Sequence, residues 1–523
     1  MISLPETLPD SAPELVKLLL QLEQSAREEL VSSERIIKML KERVALLEIK
    51  RFGRSSEKYV PLQGSLFDEA ELEALNPEPK SEPEPDVITV APHQRQRGKR
   101  KPLPDNLPRV TTVIDLEASK KTCPEHGLPL RCIGREVSEQ LDIIPAKVQV
   151  LRTERLKYAC RCGECGVKTA PLPPQPLPKS MASAGLLSWL VVNKFLDGLP
   201  LYRQERTLNR LGVSVSRITL AHWLIKASAL LQPLINLMYE HRLSYGYLGM
   251  DETRLQVLDE PGRAATSQSW MWVQRGGPPD KPVILFHYSS SRSAAVPLAL
   301  LADYHGILQT DGYASYEAVV KKNGLCNPGC WDHARRRFHD AVKAQGKGKG
   351  GNAQMMLSLI QKLYRIERAG KELSETERFW LRRQQSIPVL KAIRQHLDIN
   401  QPKAPPQSLP GKGYTYLNNQ WESLILFVTD GRIPISNILT ENAIRPFAIG
   451  RKNWLFAASV AGAESSAKLY SVMESARANG LEPYAYFRHL FTELPKAQIV
   501  EEIEALLPWN VKQELTSAPV LEA

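Results

Sequence analysis

Two proline-bearing segments prevent this chain from folding as one continuous globule. Residues 68–86 (DEAELEALNPEPKSEPEPD) are acidic and proline-bearing, and residues 171–179 (PLPPQPLPK) are more than half proline. The first is expected to be extended or disordered and the second to be a stiff linker, because proline keeps both extended. The chain is therefore expected to be a string of modules. Its 523 residues suffice for roughly three to four units of about 150 residues.

A hydrophobic fraction of 43% supplies real cores, and a charged fraction of 24% excludes a wholly disordered chain. The net charge of +11 favours a polyanionic partner. Seven cysteines are few for a disulfide scaffold, and five of them fall between Cys123 and Cys165. That clustering suggests a metal site in a reducing compartment. The N-terminus lacks the basic-then-apolar order of a signal peptide, and no apolar run spans a bilayer. A reducing cytoplasm, without membrane contact, is the expected compartment.

The first module is a helix over residues 10–58. Val16, Leu19, Glu23, Ala26, Leu30, Ser33, Ile37, Leu40, Val44 and Leu47 alternate at three and four residues, a heptad seam. It fits a self-associating coiled coil, or an amphipathic helix packed on its own domain. Residues 59–109 read as a disordered linker ending in the basic run HQRQRGKRK, residues 93–101. That run fits phosphate tracking and a solvated tether equally.

Residues 110–170 read as a small β module with one structural zinc. Cys123 and His126 form one close pair, and Cys160, Cys162 and Cys165 supply the second with one thiol to spare. Four of these five complete a tetrahedral site, which leaves no open position. Cys132 is expected to be a free buried thiol. Residues 180–242 read as helical. YRQERTLNRLGVSVSRITLAHWLIKA has helix-turn-helix spacing, with its turn at Gly212–Ser214 and Ser216 as N-cap. If this unit meets DNA, Arg217 and Thr219 stand at the start of its recognition helix. Two packed core helices would show the same pattern.

From Tyr245 the pattern turns to strands, and a mixed α/β domain is expected over 243–475. A charged helical stretch, about 335–430, interrupts it as an insertion. Residues 476–523 form a C-terminal segment. Three acids have distinctive settings: Asp251 in YLGMDETRLQVL, Asp311 in ILQTDGYASY and Glu441 in NILTENAIRPFAIGRKNWLF. Carboxylates converging from two strands and a helix can hold two hard divalent ions, which promote phosphodiester chemistry. Trp454 and Phe456, beyond Glu441, fit core packing or stacking on an unpaired terminal base.

FGRSSEK, YRQERTL, MDET, TDGYASY, CWDHARRRF, ENAIRPFAIGRKNWLF, LEPYAYFRHLFTELP and LLPWN occur in that order from about Arg51 to Asn510. Together they resemble transposases of the bacterial insertion sequence 66 family. The resemblance implies an RNase H-like DDE catalytic domain with a helical insertion before its last acid. It makes Asp251, Asp311 and Glu441 the catalytic, metal-binding triad, holding two Mg2+ or Mn2+ ions. It gives Cys330 and His333 a supporting role and points to Cys160 as a zinc ligand. Asp332 departs from the family's usual small residue. Arg335, Arg336, Arg445, Arg451 and Lys452 are candidates for the DNA backbone, although Glu441 and Arg445, four apart on a helix, could instead pair with each other. The implied partners are double-stranded DNA, as element ends and target, further copies of the chain, and small accessory proteins encoded by the same element. A non-catalytic DNA-binding regulator, or a metal-dependent nuclease without strand transfer, is the rival reading.

Overall fold

The computed structural model describes residues 12–52, 148–159, 167–345 and 351–511. Cys123, Cys132, His126, Cys160, Cys162 and Cys165, the basic run 93–101 and most of the glycine-rich tip at 346–351 lie outside the described residues. From the expected metal module, strands β1 (Lys157–Ala159) and β2 (Val167–Thr169) are described, paired antiparallel.

Helix α1 (Ala12–Phe52) is continuous over 41 residues. Val16, Leu19, Leu30, Ile37, Leu40, Val44 and Leu47 of the heptad seam are all more than half exposed. Leu46, off that seam, is buried. Helices α2 (Ala184–Phe195), α3 (Leu201–Arg210), α4 (Arg217–Leu230) and α5 (Gln232–His241) follow. The Ser183 and Ser216 hydroxyls satisfy backbone N–H groups at the starts of α2 and α4. Gly212 makes the α3–α4 turn at φ +83°, where a side chain would be strained.

The sheet begins with an antiparallel meander of β3 (Tyr247–Asp259), β4 (Gln268–Gly276) and β5 (Val283–Ser289). Helix α6 (Ala295–Leu300) then leads to β6 (Ile307–Gln309), which lies parallel to β3 on its other side. The strand order is β5-β4-β3-β6, and β7 (Ala457–Ser459) pairs with the far end of β3.

Helices α7 (Glu317–Asn323), α8 (Trp331–Gln345), α9 (Asn352–Ala369), α10 (Glu375–Leu381), α11 (Ile387–Asn400), α12 (Leu409–Asn419) and α13 (Trp421–Leu424) separate β6 from the last acid. Most of this block has its own core, including Phe338, Met356, Leu363, Ile393 and Tyr414. The end of α1 lies against α8 and α12. Helices α14 (Ile438–Trp454), α15 (Val460–Ala478), α16 (Pro483–Glu493) and α17 (Val500–Glu504) complete the described chain.

The expected divisions near 242 and 475 are not breaks in the core. Leu187 of α2, Leu224 of α4 and Met238 of α5 share one apolar cluster with Val273, Phe286, Phe447, Tyr470 and Phe487. The helix-turn-helix region, one sheet face and the C-terminal helices therefore bury one another. Leu177 joins the same cluster, so the end of the expected 171–179 linker is docked. Edge strand β5 is covered by α15, whose Ser471 and Ser475 hydroxyls accept the Phe286 and Ile284 N–H groups at 2.8 and 2.9 Å. Satisfying these groups removes an open edge that could pair with another chain. Among the described residues, no single helix is long and apolar enough to cross a membrane.

Candidate active site

The β3–β6 register brings the first two acids together. Tyr247 pairs with Ile307 and Gly249 with Gln309, so Asp311 falls two residues past the last pair, level with Asp251. Adjacent strands lie about 4.8 Å apart. Asp311 also shapes its own turn: its Oδ1 accepts the Tyr313 N–H at 3.0 Å, and Gly312 supplies φ +83°.

Glu441 arrives in the first turn of α14. Three contacts fix the start of that helix. Asn437 N donates to Cys330 Sγ at 3.3 Å, Asn437 Nδ2 donates to Met250 O at 3.4 Å, and Trp331 N donates to Ile435 O at 3.2 Å. Gly249 permits the approach. A Cβ on it would stand 2.0 Å from Thr440 Oγ1 and 3.2 Å from Asn437 Oδ1. The bare backbone of β3 thus lets α14 settle directly over the strand that carries Asp251.

Burial raises the Asp251 carboxyl to about 8, with further upward pressure from Glu252, Asp311 and Glu441. Glu441 is also raised, first by burial, while His333 and Arg336 pull it down. His333 Nε2 lies 3.8 Å and Arg336 Nη2 3.7 Å from its carboxylate oxygens. Glu441 Oε1 and His333 Nδ1 are buried without hydrogen-bond partners. Crowded carboxylates with an unpartnered oxygen fit a divalent cation, which would supply the missing positive charge. Among the described residues, the ligand atoms grouped within 4.8 Å of one another are those of Cys330, His333 and Glu441, and the two aspartates are not in that group. Burial pushes the Cys330 thiol up to about 12, so it is a poor thiolate ligand and serves better as an anchor for Asn437.

Several basic candidates have other partners. Arg335 is only 12% exposed and lies 3.7 Å from Asp332. Arg451 binds Thr253 Oγ1 at 3.2 Å and the Arg254 carbonyl, clasping α14 to β3. Thr219 is partly buried, with its hydroxyl 3.0 Å from that of Ser216. Arg217, Arg336, Arg445 and Lys452 are exposed or largely so. Glu441 pairs with His333 and Arg336, and no ion pair joins it to Arg445 among the described residues. Asp332 is buried and accepts the Tyr364 hydroxyl at 2.7 Å. It ties α8 to α9.

The opposite face of β3 carries a support that the sequence reading missed. The Glu252 carboxylate accepts Arg292 Nε and Nη2 at 2.9 and 2.6 Å and also the Tyr316 hydroxyl. Arg292 lies over the Tyr313 ring at 3.6 Å and the Trp270 ring at 4.6 Å. Ser315 Oγ donates to Arg292 O at 2.7 Å. The loop following Asp311 is thereby clamped to the strand bearing Asp251. The signal was available: period-two alternation sends Glu252 to the face opposite its neighbour.

Residues 179–465 match the model for the IS66 transposase family, and residues 471–509 match the IS66 C-terminal element. Residues 120–165 match the zinc-finger binding domain of transposase IS66, and residues 39–112 match a model described as transposase C of IS166 homeodomain. Two uncharacterized proteins of Sinorhizobium fredii (strain NBRC 101917 / NGR234) are similar along most of their length. Protein y4jD is 33% identical over 92% of this chain and 96% of its own. Protein y4qI is 31% identical over 80% of this chain and 79% of its own. A catalytic-region match across more than half the chain, flanked by the family's own zinc-finger and C-terminal elements, establishes that this multidomain α/β protein belongs to the IS66 family of transposases.

Proposed function

We propose that the protein binds the ends of an insertion element and catalyses metal-dependent strand cleavage and strand transfer. The observations that support this reading are the β3–β6 register, which sets Asp311 level with Asp251, and the docking of α14 over β3 with Glu441 in its first turn. The strand order, with a meander beside a parallel fourth strand, is that expected of an RNase H-like domain. Asp251, Asp311 and Glu441 would hold two Mg2+ or Mn2+ ions. Such ions, when bound, activate the attacking oxygen and stabilise the leaving one in an in-line displacement. Arg336 and His333 lie beside Glu441 and partly offset the burial that raises its carboxyl, and Cys330 anchors Asn437 at the head of its helix. Arg445 and Lys452 would bind phosphates beside the site, and Arg217 would do so from α4. The test incubates the full chain with labelled element ends, target plasmid and magnesium. Joined products are expected. Binding without cleavage would favour a regulator, and cleavage without joining a nuclease.

The zinc-finger match supports one structural zinc held by four of Cys123, His126, Cys160, Cys162 and Cys165. Elemental analysis of protein purified without chelator should find one zinc per chain, and finding none would sink the assignment. The exposed seam of α1 supports homo-oligomers that bring two ends together. Deleting residues before Arg51 should lower the mass seen by light scattering. An unchanged mass would leave α1 as a dock for an accessory protein.

A further inference from the structure

Helix α14 ends in a turn unusual for leucine. Leu455 has φ +67° and ψ −52°, and Phe456 N donates to Trp454 O across it at 2.9 Å. This is a γ-turn of the rare sign, which is strained for a residue with a side chain. Both flanks hold it in place. On the helix side, Leu455 N donates to Arg451 O at 2.7 Å, and Trp454 packs edge-on against Phe447 at 5.4 Å. On the other side, Ala457 pairs with Val257, and the Ser459 hydroxyl caps α15.

The strained turn directs apolar surface outward. Leu455 is 63% and Phe456 41% exposed, with Ile449 also exposed on the same helix. Arg254, Arg445 and Lys452, on β3 and α14, are exposed. Trp454, by contrast, belongs to the core side of the turn. The two aromatic residues that the sequence grouped together thus divide between packing and solvent. Glu441 lies roughly 20 Å back along the helix at 1.5 Å per residue.

We propose that Leu455 and Phe456 form a stacking contact for an unpaired nucleobase of DNA lying along α14, with Arg445 and Lys452 on its phosphates. This rests on the DNA-processing reading and adds to it a place and a base-level contact. Charge complementarity favours DNA as the occupant, because the exposed Arg254, Arg445 and Lys452 beside the corner suit a polyanion. Every base has an apolar face, so the contact needs no particular sequence, and apolar side chains can hold bases out of the stack.

The experiment measures binding of the full chain by fluorescence anisotropy, without added divalent metal and at fixed salt. The probes are a fully paired duplex and the same duplex with a few unpaired nucleotides at one end. The native chain should prefer the frayed probe by about tenfold. Leu455→Gly and Phe456→Ala should bring the ratio close to one, while Lys452→Ala should weaken both probes alike. Glycine suits the turn, so Leu455→Gly should melt no lower than the native chain, which separates contact loss from misfolding. Equal binding of both probes by the native chain, or an unchanged ratio in both variants, overturns the stacking contact alone. So does an unchanged ratio accompanied by a smaller assembly in light scattering, which would assign the corner to an interface between copies. Failure to bind either duplex overturns the DNA-processing reading along with the contact.

Discussion

Asp251→Asn is expected to abolish strand cleavage, by at least about a thousandfold, on the scale of losing a principal catalytic group. The same change should stabilise the protein when no magnesium is added. Burial and neighbouring acids raise the Asp251 carboxyl to about 8, far above its unfolded value near 4. The stability contributed by its protonated form is fully present below about pH 4 and is lost as pH rises through about 8. Asparagine cannot ionise, so the variant escapes that loss. With zinc retained and magnesium absent, its melting temperature at pH 8 should exceed that of the native chain by about 1–3 °C, the shift that 1–2 kcal/mol gives in a core of this size. The gap should narrow toward pH 5. Surviving cleavage would remove Asp251 from the catalytic site, and equal melting at pH 8 would show that burial does not hold its charge at a cost.

Gly249→Val should disable the site without touching an acid. Its Cβ would meet Thr440 Oγ1 at 2.0 Å and Asn437 Oδ1 at 3.2 Å, and rotating the threonine relieves only part of the clash. The start of α14 must move off β3, taking Glu441 with it. Overpacking of this kind costs about 1–3 kcal/mol, and a displacement near 1 Å costs roughly a hundredfold in rate. Lower melting, faster amide exchange at the start of α14 and loss of cleavage are expected together. Native-like activity in Gly249→Val would show that α14 does not need this close approach.

The family was legible in the sequence, because short strings such as MDET, TDGYASY and ENAIRPFAIGRKNWLF carry its local chemistry, and the same strings nominate the three acids. The α3–α4 turn was legible for the same kind of reason: Gly212 and Ser216 act on their immediate neighbours. Contacts made across the fold were not. Nothing local distinguishes Arg451, turned into β3, from Lys452, exposed to solvent, since a one-residue step of 100° on a helix decides it. Nor does a string reveal that Asp332 binds Tyr364, or that Glu252 and Arg292 clamp the Asp311 loop from behind. The sequence alone determined which groups are available for chemistry. Tertiary structure decided which of them converge, because strand register and helix docking bring together residues far apart in the chain, and which cations are used up as internal ties.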